Sequence, residues 1–314
     1  MTSDHFDGRR FRNPGGADGQ SFRAVPRMLR EPRTPWPARV DVPPQPLPSR
    51  AAGAVVVTWI GHATFLIQTG AGNILTDPIW SERASPVPFV GPRRVRAPGV
   101  AFDALPHIDL VLLSHNHYDH CYMATLRALG RRFDPLVVTP LGNGRLVRKA
   151  GARRIEELDW WQPSAAASIG VTLTPAQHFS SRTPFDRNRA LWGGFMLTME
   201  GRRIYFAADS GYGPHFTKIG SRLGPIDLAL LPIGAYEPRW FMKDIHMNPA
   251  EAVQAHLDCG ARQSIAMHFG TIQLTPEAID APVVALGAAL RERGVPAAQF
   301  RVLDVGESLV PAPA

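Results

Sequence analysis

Four side chains that commonly ligate metal ions lie within a six-residue run, directly after a short apolar segment. The run contains His115, His117, Asp119 and His120, and the segment at 108–113 reads as a buried strand. Burying three imidazoles and a carboxylate without partners would cost several kcal/mol. On a turning loop, the first two histidines point one way and the other two ligands point another. This arrangement suits two metal ions bound by nitrogen and oxygen.

The same order, a strand followed by a metal-competent side chain, recurs three times later in the chain. The three side chains are His178, Asp209 and His268, and the apolar segments before them are 172–175, 204–208 and 264–267. A single histidine at a strand end is more often a structural or hydrogen-bonded group than a metal ligand. Because the pattern recurs in four places, we predict that all four strand ends meet at one metal centre.

Short β-branched and aromatic runs alternate with fewer helical segments from residue 55 onward. We predict strands over 55–60, 64–68, 74–76, 108–113, 136–139, 171–174, 191–198, 203–207, 228–233 and 264–267. Helices are predicted over 123–129, 144–150, 249–257 and 283–293. This mixture favours an α+β architecture in which helices cover two packed sheets.

The first 50 residues differ in composition from the rest of the chain. They hold nine arginines and five acidic residues, so they contribute +4 of the formal charge of +7, and they hold nine of the 30 prolines. We therefore expect an extended arm over 1–50, followed by a catalytic domain over 51–314. The arm is either a weakly ordered solubilising tail, or a basic strap that docks on the body or meets anionic lipid. Its apolar residues are Phe11, Phe22, Met28, Leu29 and Trp36.

Composition also excludes several protein classes. No apolar run approaches the ~20 residues of a membrane-spanning helix, and residues 1–13 are polar, unlike a secretory signal. Two cysteines favour a reducing compartment, so we expect a cytoplasmic protein that can contact a membrane surface peripherally. The excess charge is not concentrated on a predicted helix, so no nucleic-acid partner is expected. The sequence leaves the oligomeric state open, and a homo-oligomer is compatible with it.

Beyond the metal-ligand run, long stretches resemble the metallo-β-lactamase superfamily. Within it, the chain is similar to the N-acylphosphatidylethanolamine-hydrolysing phospholipase D family and its bacterial relatives. The stretches that carry the resemblance are 59–64, 75–78, 83–86, 91–94, 114–120, 158–161, 174–178, 209–212, 232–242 and 268–271. The metal-ligand run alone indicates the superfamily, whereas 233–242 (IGAYEPRWFM) indicates the phospholipase D branch.

The resemblance implies a four-layer αβ/βα sandwich with two zinc ions at one edge. His115, His117 and His178 would hold one ion, and Asp119, His120 and His268 would hold the other, with Asp209 bridging the two. Iron or manganese suits the same nitrogen and oxygen ligands. Zinc lowers the pKa of bound water from ~15.7 to about 7, so a hydroxide between the ions is the expected nucleophile.

The resemblance also implies a lipid-like phosphodiester substrate. The family's reaction splits N-acylphosphatidylethanolamine into N-acylethanolamine and phosphatidic acid. Two alternatives stay open: a lactone, thioester or other carbonyl hydrolase that uses the same hydroxide, and a non-catalytic lipid-binding protein. The expected partner is therefore a phospholipid-like small-molecule substrate.

Four further residues are candidates near the metals. Asp77 matches a position that orients a metal-binding histidine, although a turn residue before a proline is an equal alternative. His246 is a candidate catalytic or phosphate-contacting group together with Asp119, and its alternative is a capping or loop histidine. Tyr118 either contacts substrate or is simply an exposed aromatic residue, and His62 is expected to support the site rather than ligate.

Overall fold

The structure is a computed structural model that describes residues 3–13, 16–48, 53–87, 89–165 and 167–311. Residues 1–2, 14–15, 49–52, 88, 166 and 312–314 lie outside the described part. So does the side chain of Phe22, one of the apolar residues named above for the arm. Two mixed β-sheets with flanking helices make up the fold, which confirms the predicted α+β class.

The described elements comprise thirteen strands and seven helices. The strands are β1 Val56–Gly61, β2 Thr64–Thr69, β3 Gly72–Thr76, β4 Leu110–Leu112, β5 Leu136–Pro140, β6 Arg154–Leu158, β7 Gly170–Thr174, β8 Gly194–Met199, β9 Arg202–Phe206, β10 Ile226–Pro232, β11 Ala261–Met267, β12 Phe300–Arg301 and β13 Ser308–Leu309. The helices are α1 Val25–Met28, α2 Met123–Arg132, α3 Gly144–Lys149, α4 His215–Leu223, α5 Arg239–Met242, α6 Pro249–Asp258 and α7 Ala281–Glu292.

The two sheets pack face to face across one large apolar core. The first sheet has the order β13-β1-β2-β3-β4-β5-β6, and the second has the order β12-β11-β10-β9-β8-β7. Residues such as Phe65 from the first sheet and Phe206 from the second belong to the same buried cluster. A second cluster joins the other face of the first sheet to α2 and α3 through Leu126, Leu129 and Val147. Helices α6 and α7 cover the second sheet, so the order of layers is that of a four-layer sandwich.

Strand direction brings the predicted ligands to one edge. In the first sheet, β3 and β4 run parallel, and β1 shares their direction because it is antiparallel to β2, as β2 is to β3. In the second sheet, β9, β10 and β11 are parallel, and two antiparallel steps give β7 the same direction. Within each sheet, the carboxyl ends of these strands therefore lie at the same edge. Open sheets with parallel strands bind their ligands at this edge.

All the predicted strands and helices are present, with shifted ends. The predicted strand over 191–198 begins only at Gly194, so its first three residues lie outside β8. The Leu191 N–H donates instead to the Leu141 carbonyl (2.7 Å), in a loop. The predicted strand at 108–113 shortens to β4. Strand β6 was not predicted because it is a polar edge strand, whose sequence RIEEL lacks a buried face.

Parts of the predicted arm contact the catalytic domain. Phe11 is buried in the main core, and the Trp36 indole N–H donates to the Glu277 carbonyl (2.8 Å). Leu29, in contrast, is 61% exposed. Among the described residues we find no helix with the length and hydropathy that a membrane crossing requires.

Candidate metal centre

The seven predicted metal ligands converge at the shared strand edge. Six of them are buried and His117 is half-buried. The 115–120 run follows β4, His178 follows β7, Asp209 follows β9, and His268 follows β11. The described residues that can hold a metal ion fall into overlapping groups whose ligand atoms all lie within 4.8 Å of one another.

The first group is formed by His115, His117 and His178. The His115 Nε2 atom lies 2.9 Å from His117 Nδ1, and His178 Nε2 lies 3.3 Å from the same atom. The three rings therefore direct nitrogen atoms toward one point, as the resemblance implied for the first ion.

The second group contains Asp119, His120 and His268, and the structure adds His62 to it. The His120 and His268 Nε2 atoms are 3.2 Å apart, and Asp119 Oδ2 lies 3.4 Å from His268 Nε2. His62 Nε2 lies 3.0 Å from Asp119 Oδ2. His62 follows the end of β1 with a left-handed φ of 56°. Its expected role, to support the site rather than to ligate, stays a prediction.

Asp209 lies between the two groups. Its Oδ2 atom is 3.0 Å from His120 Nε2 and 3.2 Å from His268 Nε2. The same oxygen is 3.8 Å from His178 Nε2 and 3.9 Å from His115 Nε2. One carboxylate oxygen therefore faces nitrogens of both groups, which is the position that a bridging ligand needs.

The donor set fits divalent cations. Neighbouring ring nitrogens 2.9–3.3 Å apart would repel one another if their lone pairs faced an empty space. Asp209 Oδ1, His62 Nδ1 and His268 Nδ1 are buried and have no hydrogen-bond partner among the described residues. Buried imidazoles and carboxylates of this kind are the ligands that zinc, iron and manganese accept.

The ligand side chains differ in their protonation states. Burial lowers the pKa of His117 to about 3 and that of His178 to about 4, so both rings are neutral at pH 7. Burial alone would raise the pKa of the Asp209 carboxyl, but the surrounding His120 and His268 hold it well below its usual range. Against the effect of burial, Asp209 and Asp119 raise the pKa of His268 to about 9 and that of His120 well above its usual value. These two rings must therefore release a proton when they coordinate metal, whereas His117, His178 and Asp209 are already in the forms that bind it.

Asp77 contacts a ligand histidine directly. Its Oδ2 atom accepts a hydrogen bond from His120 Nδ1 (2.7 Å), and its Oδ1 accepts one from the Ser114 backbone N–H (2.7 Å). The Ser114 hydroxyl also donates to Asp77 Oδ2 (2.5 Å). With Nδ1 protonated toward Asp77, the Nε2 lone pair of His120 faces the centre. Asp77 also has a turn conformation with φ 33°, so it combines both predicted roles.

His246 is buried beside the ligands. Its Nε2 atom lies 3.9 Å from Asp209 Oδ2, and its ring centroid is 5.1 Å from that of His178. Helix α6 is capped by Asn248, whose side chain accepts from the Glu251 N–H, so His246 is not the capping residue. The Arg239 guanidinium donates to the His246 carbonyl (3.0 Å) and pairs with Glu251, which holds His246 in place.

Arg182 holds the metal-ligand loop, a role that no sequence pattern indicated. Its guanidinium donates to the carbonyls of Asn116 and Cys121, both at 2.8 Å. It also lies 3.9 Å above the Tyr118 ring, and the Tyr118 hydroxyl donates to the Arg182 carbonyl (3.0 Å). Tyr118 is thus half-buried against Arg182 at the margin of the site. Nothing in the spacing distinguishes this arginine from the other 30 arginines of the chain.

The profile of the Beta-lactamase superfamily domain matches residues 72–269. The match covers more than half of the chain and includes all seven predicted ligands. The chain belongs to the metallo-β-lactamase superfamily. Membership confirms the resemblance on which the predicted sandwich fold was based.

Three relatives place the chain more closely within the superfamily. An uncharacterized protein of Mycobacterium tuberculosis is 45% identical over 244 residues, which are 76% of this chain and 64% of that protein. An N-acyl-phosphatidylethanolamine-hydrolyzing phospholipase D of Caenorhabditis elegans is 42% identical over 68% of this chain and 63% of its own length. The mitochondrial enzyme of the same name from Saccharomyces cerevisiae is 34% identical over 70% and 48%. The chain therefore spans less than two thirds of each relative.

Solved structures share the fold at low identity. An isothiocyanate hydrolase from Delia radicum gut bacteria superposes with a TM-score of 0.65 at 22% identity, over 81% of this chain and 98% of that one. The metallo hydrolase Igni18 from Ignicoccus hospitalis superposes with a TM-score of 0.61 at 20% identity, over 83% and 100%. These similarities establish the common architecture.

Proposed function

We propose that the protein is a dinuclear zinc hydrolase that cleaves a phosphodiester bond of a lipid-like substrate. The observation that carries this proposal is the position of Asp209 between two groups of buried nitrogen and oxygen ligands. His115, His117 and His178 would hold one ion, and Asp119, His120 and His268 the other. Two such cations polarise a phosphoryl oxygen and lower the pKa of a water molecule from ~15.7 to about 7.

The chain's own residues prepare this site for a phosphodiester. Asp77 fixes the tautomer of His120, and the Ile245 carbonyl accepts from His178 Nδ1 (2.9 Å), so both rings present Nε2 to the centre. Burial holds the pKa of His246 well below its usual value. We assign to neutral His246 one of two roles: it donates a hydrogen bond to a phosphoryl oxygen, or it donates a proton to the leaving alkoxide.

The phospholipid substrate is supported by the two relatives whose names specify that reaction, at 42% and 34% identity. We extend their reaction to this chain as part of the proposal, with N-acylphosphatidylethanolamine giving N-acylethanolamine and phosphatidic acid. A cytoplasmic location is also part of it, because both cysteines are free and buried.

A substrate panel tests the proposed reaction class. We expect the zinc-loaded protein to hydrolyse bis(p-nitrophenyl) phosphate, and His117→Ala to lose that activity, because the first ion loses a ligand. Lactones and thioesters assayed beside it should react much more slowly. Turnover of only the lactones or thioesters would instead identify a carbonyl hydrolase, and no turnover with retained lipid binding would identify a lipid-binding protein.

A peripheral membrane contact belongs to the same proposal. Phe89 is 75% exposed and Val90 is 57% exposed, and both lie between half-buried Arg83 and exposed Arg93. Phe185 is 79% exposed, in the loop whose Arg182 holds the metal-ligand run. Apolar side chains flanked by arginines near a site for lipid suit an anionic bilayer surface.

Vesicle cosedimentation tests the contribution of the arm. We expect Arg23→Gln, Arg30→Gln and Arg33→Gln together to weaken binding to phosphatidylglycerol vesicles, since each basic residue near the surface contributes about 1 kcal/mol. The affinity for these vesicles should fall by at most about 100-fold, and the difference from the wild type should become smaller at high salt. The matched control changes Arg131, Arg145 and Arg148, which are equally exposed on α2 and α3. Equal binding by both triple variants would exclude the arm from the contact.

A further inference from the structure

Asn13, in the N-terminal arm, is bound to the backbone of a proposed metal ligand. Its Nδ2 group donates to the His178 carbonyl (2.7 Å), and its Oδ1 accepts from the His178 N–H (3.1 Å). The side-chain amide therefore pairs with both polar groups of one residue that lies 165 positions away. His178 is thereby held by the arm at the point where its imidazole enters the centre.

The surroundings of Asn13 fit an amide and no other side chain. Its second Nδ2 hydrogen is donated to the Ala17 carbonyl (3.0 Å), and Oδ1 also accepts from the Trp192 indole N–H (3.2 Å). Two donors and two acceptor positions are the full capacity of an asparagine side chain, and all four are used. Asn13 is only 4% exposed, so water cannot replace these bonds at low cost.

The arm on both sides of Asn13 is anchored to the loop that follows His178. The Phe11 N–H donates to the Asn188 carbonyl (2.8 Å), and the Phe11 ring is buried. The Arg187 guanidinium donates to the carbonyls of Asp18 (2.6 Å) and Gln20 (3.1 Å). These contacts fix residues 11–13 and 16–20 of the arm, so Asn13 is presented to His178 by an anchored backbone.

The backbone contact determines where the ring of His178 lies. Its Nδ1 donates to the Ile245 carbonyl, and its Nε2 faces His117. The contact at Nδ1 and the ring contact with Phe179 orient the imidazole, and its position depends on the peptide that Asn13 holds. A shift of that peptide would carry Nε2 away from the other two nitrogens of its group.

We propose that Asn13 is a positioning residue for the ion held by His115, His117 and His178. Residues 11–13 and 16–20 are then part of the support of the metal centre, although the sequence assigns them to a separate arm. This inference rests on the proposed function, because it requires His178 to ligate a metal ion. It adds a residue that contacts no ion and acts through the His178 backbone.

Zinc binding to the full-length, metal-stripped protein tests this role. We expect the wild type to bind two ions, and Asn13→Ala to bind one of them about 10–100-fold more weakly, with the other affinity unchanged. The matched control is Asn143→Ala, because Asn143 is also fully buried and also donates to two backbone carbonyls, those of Pro140 and Leu191. The control should keep both zinc affinities even if it lowers the melting temperature.

A second variant covers the case in which Asn13→Ala fails to fold. Asn13→Asp keeps the side-chain volume and the acceptor for His178 N–H, but it loses both donated bonds. It should show the same selective loss for one ion and an altered visible spectrum of bound Co²⁺ at that site. Wild-type affinity for both ions in either folded variant would overturn the role of Asn13. Absence of zinc binding by the wild type would overturn the metal centre itself, and the role of Asn13 with it.

Discussion

Asp209→Ala should abolish phosphodiester turnover and reduce bound metal in the same variant. An oxygen of the Asp209 carboxylate lies within 3.9 Å of nitrogens from both ligand groups. Removing it takes a negative charge from the position between the two cations that the two ligand groups would hold. The metals supply several kcal/mol of transition-state stabilisation, so we expect a loss of at least about 10³-fold in kcat/KM.

The measurement combines metal analysis by mass spectrometry with hydrolysis of bis(p-nitrophenyl) phosphate. Asp227→Asn is the matched control, because Asp227 is also a buried carboxylate but accepts from the Arg203 N–H (2.8 Å) at the start of β10, away from the site. The control should keep its metal and its activity. An Asp209→Ala protein with both ions and wild-type turnover would contradict the bridging position.

Asp77→Asn should lower kcat/KM by about 10–100-fold, the usual range for a residue that orients a metal ligand. An amide at this position offers an N–H where His120 Nδ1 needs an acceptor, so the His120 ring would turn or change tautomer. Its Nε2 lone pair would then no longer face the centre. Zinc affinity should fall in parallel, while circular dichroism of the variant should match that of the wild type.

Thr64→Val separates the two roles of Asp77. The Thr64 hydroxyl donates to the Asp77 carbonyl (2.6 Å) and accepts from the Ile79 N–H (3.2 Å), so it supports the turn without touching the carboxylate. We expect this variant to lose about 1 kcal/mol of unfolding free energy and to keep its activity within a few-fold. If Asp77→Asn affected only stability, as Thr64→Val is expected to do, Asp77 would be a turn residue and nothing more.

The sequence predicts which candidate ligands the structure brings together, because their signal is local. Each ligand comes directly or closely after an apolar strand, and parallel strands bring their carboxyl ends to a common edge. The fold is predictable for a related reason, since the buried strands β5, β10 and β11 are apolar runs with clear ends. The polar edge strand β6 lacks that pattern, and it was missed.

The supporting contacts are less predictable because they join residues distant in sequence. Asn13 and His178 are 165 positions apart, and Arg182 reaches Asn116 across 66 positions. Both supporting residues lie in loops without hydrophobic periodicity, so no local pattern marks them. His62, which is predicted to support the site, contacts Asp119 across 57 positions.

The most direct test of the central claim is lipid turnover by the wild-type protein with its metal removed and restored. We predict that the metal-loaded protein converts N-acylphosphatidylethanolamine into phosphatidic acid and N-acylethanolamine, as read by mass spectrometry. Exhaustive chelation should abolish both products, and added zinc should restore them. Full turnover by the metal-free protein, or release of a free fatty acid in place of phosphatidic acid, would contradict the account.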